Sequence, residues 1–171
     1  MRRARPGPEA LTPPLRERYR LLVEPTIDIA PDAESDELAR SLAELVRTNV
    51  RREPGRLTAF ERLRGAVALV ADDGGTALTL RFDFGRLVVH SGVVGVPDIT
   101  ILGPTALLGS LGDLPRPSLP RLAFGIVRHG GARAALGDLL LRADRGTLKI
   151  YGVSTHPLFV QRLLTVLSRQ A

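Results

Sequence analysis

The stretch GAVALVADDGGTALTLRFDFGRLVVHS, residues 65–91, decides the fold. Leu78, Leu80, Phe82 and Phe84 alternate with Thr79, Arg81 and Asp83, the period-two pattern of a strand with one buried and one wet face. Residues 66–71 form a strand before it and residues 87–91 one after it. Asp72-Asp73-Gly74-Gly75 and Gly85-Arg86 supply the turns, because Asp and Gly tolerate positive φ. The spacing therefore predicts a three-stranded antiparallel meander. A loop rich in Gly and Val, residues 92–97, then leads to a fourth strand over 98–102.

Upstream of the meander the period changes to that of a helix. Ser35 is the expected N-cap, and Asp36 and Glu37 put negative charge at the positive end of the helix dipole. Leu38, Leu42, Leu45, Val46 and Asn49 or Val50 form an apolar stripe, which Arg51, Arg52 and the Pro54-Gly55 pair bring to an end. A shorter helix is expected over 57–63, with Phe60 and Leu63 inward.

Downstream, residues 105–111 read as a short helix opened by Pro104 and closed by Gly112. Pro115, Pro117 and Pro120 make residues 113–121 an irregular connection, and residues 122–127 fit either a strand or a helix. After the Gly130-Gly131 break, residues 132–143 read as a helix with Leu136, Leu139 and Leu140 inward. A fifth strand over 147–151 and a last helix over 157–169 complete the pattern.

Composition narrows the function classes. The chain has 171 residues, 44% of them apolar, which suits one folded domain with a real core. Cysteine is absent, so disulfides, thiolate nucleophiles and sulfur-based zinc sites are excluded. No apolar run approaches the roughly 18 residues of a membrane span. Of the 24 basic residues 23 are arginine, a bias that fits GC-rich coding, and only 4% of residues are aromatic. The net charge of +6 is therefore weak support for nucleic-acid binding, which uses interleaved aromatics for stacking. Arg2, Arg3 and Arg5 are followed by prolines rather than an apolar run, so they do not open a secretory signal. Residues 1–34 are expected to be a flexible N-terminal arm and an acidic linker, and residues 35–171 the folded unit.

Helix, three meandering strands, crossover, strand, helix, strand, helix is an order similar to that of the sterol carrier protein 2 (SCP2)-like family. Gly65 to Gly74 resembles the family's first strand and its Asp/Gly-rich turn, and Phe84-Gly85-Arg86-Leu87 the next turn. Asp98-Ile99-Thr100-Ile101 followed by Ala106 to Gly112 resembles an acidic strand and a Leu-rich helix. The most specific match is Gly146-Thr147-Leu148-Lys149-Ile150-Tyr151-Gly152, similar to the family's Gly-x-Leu-Lys-Ile-x-Gly strand. The resemblance spans residues 38–168, and the chain departs from the family pattern by an insertion at about 113–145.

The resemblance implies an α+β fold: a five-stranded mixed, mostly antiparallel sheet with helices on one face. It also implies a non-catalytic binder whose apolar tunnel holds a fatty acyl chain, sterol or isoprenoid, in the manner of a lipid-transport protein. The expected lining residues are Leu107, Leu108, Leu111, Phe159, Leu163, Val166 and Leu167, with Phe124 and Ile126 of the insertion as a lid. The competing reading of each is ordinary core packing. No cofactor or metal is expected. The expected partner is an apolar small molecule in the cytoplasm. Arg121, Arg128 and Arg133 are candidates for steering an anionic head group or a membrane surface.

Catalytic signatures are missing: there is no GxSxG, HExxH, P-loop or GxGxxG. Asp72 and Asp73 are better explained by a hairpin turn than by a carboxylate pair or a calcium site. His90, His129 and His156 are far apart in sequence. Two further readings stand beside the lipid binder. One is a scaffold or accessory subunit of lipid or quinone metabolism without an open cavity. The other is a protein outside the family, either an enzyme or an arginine-driven nucleic-acid binder.

Overall fold

Seven strands form one sheet in the order β1-β4-β3-β2-β5-β7-β6 in the computed structural model, which describes residues 24–113, 139–143 and 146–169. The strands are β1 (Thr26–Ile29), β2 (Arg64–Ala71), β3 (Ala77–Asp83), β4 (Arg86–Ser91), β5 (Ile99–Gly103), β6 (Leu139–Ala143) and β7 (Gly146–Tyr151). The helices are α1 (Glu37–Arg52), α2 (Pro54–Phe60), α3 (Thr105–Gly109) and α4 (Pro157–Leu167). Four strand pairs are antiparallel, and β1–β4 and β2–β5 are parallel. The class is therefore the expected one: α+β, with a mixed and mostly antiparallel sheet.

The sheet has two more strands than the five expected. β1 lies within the stretch read as linker, where Ile27 and Ile29 pair with Leu87 and Val89 of β4. Two isoleucines in an acidic stretch are too few to display a period; the exposed edge of β4 selects them. Asp28 is held there by Arg86 at 3.2 Å. β6 replaces the end of the helix expected over 132–143, since an apolar run as short as Leu139-Leu140-Leu141 has no period of its own and takes the geometry of its partner β7. The start of that expected helix and residues 122–127 lie outside the described residues.

Helix ends also move. Asp36, not Ser35, caps α1: its carboxylate accepts from the N–H groups of Leu38 (2.8 Å) and Ala39 (3.2 Å). Pro54 stops α1 but also opens α2 as its first residue, where a missing N–H costs nothing. α2 consequently runs three residues earlier than the 57–63 expected.

Register separates the two sheet faces. Val67, Leu69, Leu78, Leu80, Phe82, Leu87, Val89, Ile99 and Ile101 are buried on the inner face. There they join Leu42, Leu45, Val46 and Val50 of α1, Phe60 of α2 and the apolar side of α4 in one core. Arg81 and Asp83 are exposed on the outer face, as the alternation predicts.

Thr79, on that same outer face, is only 1% exposed, contrary to its reading as a wet position. The cause is the crossover. β5 lies beside β2 and parallel to it, so the chain leaving β4 passes over β3 and β2 on the outer side. Thr79 Oγ1 donates to Gly92 O (2.7 Å) and accepts from Val94 N–H (2.9 Å), tying this strap to the sheet.

The strap ends at Asp98, whose N–H donates to Ala66 O at 2.9 Å and whose carboxylate accepts from Ala66 N–H at 2.8 Å. Two glycines make room for Asp98. Gly65, with φ +141°, would put a Cβ against the Asp98 carboxylate and the Phe159 ring. Gly152, with φ +86°, would drive one into the Asp98 backbone oxygen. Gly152→Ala combines a left-handed backbone with a collision against main chain. It is expected to destabilise the domain by about 3 kcal/mol, measured as a lowered urea midpoint at unchanged slope.

Candidate functional site

Seven of the nine candidate lining residues lie among the described residues, and they come together on the inner side of the sheet. Leu107 and Leu108 on α3, Leu111 in the turn after it, and Leu163, Val166 and Leu167 on α4 are all buried members of the core. Phe159, at the start of α4, is half-buried and packs edge-on against Phe82 with ring centroids 6.3 Å apart. Phe82 in turn meets Phe60 at 6.1 Å, so an aromatic chain links α4, the sheet and α2. Phe124 and Ile126 lie outside the described residues, as do Arg121, Arg128, Arg133 and His129.

The zone around these residues is apolar. Among the described residues four polar or charged ones are buried: Thr79 is on the outer face, and Asn49, Arg56 and Ser168 gather at the C-terminal end of α4, against the backbone of Val166 and Leu167. Asn49 Nδ2 donates to the carbonyls of Val166 (2.8 Å), Leu167 (3.1 Å) and Ser168 (3.1 Å). Arg56 donates to Ser168 O and, through Nε, to Glu53 at 2.6 Å. Helices end with orphan carbonyls, and here a side chain from each of α1 and α2 satisfies them while a cation faces the negative end of the dipole. Sequence reading took Asn49 for an alternative stripe position. Nothing in the sequence separates a buried amide at helical spacing from a boundary residue.

A cleft of about 360 Å³ opens beside this clamp, lined among others by Ser41, Thr48, Arg52 and Arg169. Polar and charged residues predominate among those that line it, and none of the nine candidate residues does so.

The hairpin reading of Asp72 and Asp73 extends further than a turn. Asp73 Oδ1 accepts from the N–H (2.9 Å) and hydroxyl (2.7 Å) of Thr105, fastening the β2–β3 turn to the start of α3. These bonds favour the carboxylate and hold its pKa below the usual 3.8. His156 Nε2 lies 3.8 Å from Asp98 Oδ1, and His90 is half-buried opposite Thr79 on the outer face. Among the described residues no group of three or more His, Cys, Asp and Glu is placed to hold a metal ion. Among the same residues no helix is long and apolar enough to cross a membrane.

The elements thus follow the order on which the family resemblance was read: α1, the β2–β3–β4 meander, the crossover, β5, α3, β7 and α4. No family model and no curated protein matches the chain. Among solved structures, it is similar to a UbiJ-SCP2 ubiquinone synthesis protein, at 21% identity over 76% of this chain and 91% of that one, with a TM-score of 0.47. A second similar structure is a conserved hypothetical protein of Thermus thermophilus whose name suggests a sterol carrier. There the identity is 15% over 85% of this chain and 90% of that one, with a TM-score of 0.40.

Two outcomes follow from the polar contacts. Asn49→Ala takes the donor from the carbonyls of Val166 and Leu167 beneath a packed helix end, while Arg56 still serves that of Ser168, and is expected to cost about 2–4 kcal/mol by chemical denaturation. For Asp73 the folded pKa lies below the unfolded 3.8, so its contribution is complete above that pH and fades as pH falls through the folded value. Asp73→Asn, which keeps a neutral acceptor, should therefore melt below wild type at neutral pH, and the gap between the two should close in melts at strongly acidic pH.

Proposed function

We propose that this domain is a non-catalytic, cytoplasmic binder of an apolar lipid, such as a fatty acyl chain, sterol or isoprenoid. The lipid is held between α3 and α4 on one side and the inner face of the sheet on the other. The observation that carries the reading is the segregation of polar groups. Every buried polar side chain among the described residues lies at the α4 clamp or on the outer face; Leu107, Leu108, Leu111, Phe159 and Leu163 stand apart from the clamp, and Val166 and Leu167 meet it through their backbone carbonyls while their side chains belong to the apolar core. Such a site holds its ligand by area, at about 0.8 kcal/mol per methylene removed from water. It needs no polar constellation beyond what orients a head group. The motifs read from the sequence, Gly146 to Gly152 above all, support the same assignment.

A second reading is favoured by one fact. Leu108, Val166 and Leu167 are 0% exposed and share a single core with α1, which describes a closed interior. A domain of this kind without a cargo is a scaffold or accessory subunit of lipid or quinone metabolism.

Native mass spectrometry of the purified full chain, with lipid analysis of its organic extract, separates the two. A stoichiometric acyl lipid, sterol or quinone, displaceable by a fluorescent fatty-acyl probe, is the expected result. An apo mass together with no probe binding overturns the carrier reading and leaves the scaffold.

A further inference from the structure

The crossover strap presents apolar side chains to solvent where a protein surface is expected to be polar. Val96 is 92% exposed, Val93 53% and Val94 43%. Thr79 and Asp98 fix both ends of the strap to the sheet, so these side chains are held outward on a supported loop. A small aliphatic side chain in this position contributes nothing to the core, and three within four residues are more than scattered surface apolarity.

The surrounding face carries the complementary charge. By register, Arg64, Arg81, Arg86 and Lys149 lie on the same outer side of the sheet, against two acids, Asp28 and Asp83. Asp28 is already paired with Arg86, and Arg64 sits 5.6 Å over the ring of Phe84, itself 58% exposed. Arg81 and Lys149 have no ion-pair partner among the described residues. Tyr151, 38% exposed, lies on this face too.

We infer that the outer sheet face docks on an anionic lipid surface, with Val93, Val94 and Val96 entering the head-group region and Arg81 and Lys149 meeting phosphates beside them. The strap itself offers a protein partner none of the aromatic or arginine side chains that anchor most protein interfaces. A protruding loop of short aliphatics with a cationic surround fits a soft, disordered, negatively charged medium better, where apolar insertion and charge attraction add. This docking is independent of any lipid held between the sheet and the helices.

The chain contains no tryptophan, so Val96→Trp in the full-length protein reports from a single site. The expected result is a blue shift of its emission, and flotation of the wild-type protein, with vesicles of equal phosphatidylcholine and phosphatidylglycerol. A Val93→Asp/Val96→Asp double variant should lose about tenfold in partitioning. Arg81→Glu should lose a similar factor on the anionic vesicles alone. Both variants should keep the circular dichroism spectrum and the fatty-acyl probe response of wild type, so that failure of docking and failure of lipid binding are read separately. Wild-type protein that ignores anionic vesicles overturns the proposal, as does a double variant that floats like wild type. A double variant that turns a dimer into a monomer, without vesicle binding by wild type, assigns the face to a second copy instead.

Discussion

Two hydrogen bonds at Asp98 fix where β5 begins, and most of the architecture depends on that position. The Asp98 N–H donates to Ala66 O and its carboxylate takes the N–H of the same residue, so β5 starts in register beside β2. A strand placed there after a meander that ends at β4 has to be reached by crossing two strands. The inner face is filled by four helices, so the crossing is made over the outer face and leaves one side of the sheet wholly to the apolar core. β7 then pairs with β5, and its following residue Gly152 closes on the Asp98 backbone. The last glycine of the Gly-x-Leu-Lys-Ile-x-Gly segment thus has a steric cause: any side chain there would push β5 from its place.

α4 is the second dependent element. Its apolar arc secures it to the sheet, but a helix end beneath packed side chains also needs its carbonyls satisfied, since an unpaired buried acceptor costs about 1–3 kcal/mol. Asn49 and Arg56 meet that need from two different helices and thereby couple α1, α2 and α4 into one layer. Arg56 is almost fully buried, which is tolerable only because Glu53 and the Ser168 carbonyl receive its donors.

The meander, α1 and the last strand and helix could be read from sequence because each declares a period over seven or more residues or is bounded by Gly and Pro. What escaped was set by partners rather than by local pattern. β1 is selected by the free edge of β4, β6 by β7, and the burial of Thr79 by a strap whose path is a consequence of strand order. The aliphatic candidates were legible as a group, since Leu and Phe at helical spacing must face inward. Their neighbours were not. Asp98 looked like a strand's first residue and Asn49 like a stripe's margin, because hydrogen bonds between distant segments leave no mark on spacing.

The division of the two sheet faces bears on how a lipid could be admitted to an interior that is closed. Space has to come from an element that yields at small cost. α1 is long and side-chain capped, and α4 is clamped at its C-terminus by Asn49 and Arg56. α3 has five residues and no side-chain cap of its own, and its start is tied by the exposed Asp73–Thr105 pair. Its polar ties are exposed, so its hold on the core rests on the burial of Leu107 and Leu108. Leu107, Leu108 and Leu111 are carried by this segment and its following turn, whereas Leu163, Val166 and Leu167 belong to the anchored helix. The two halves of the apolar cluster are thus held differently, one by burial on a short helix and the other on a helix whose end is also clamped by hydrogen bonds.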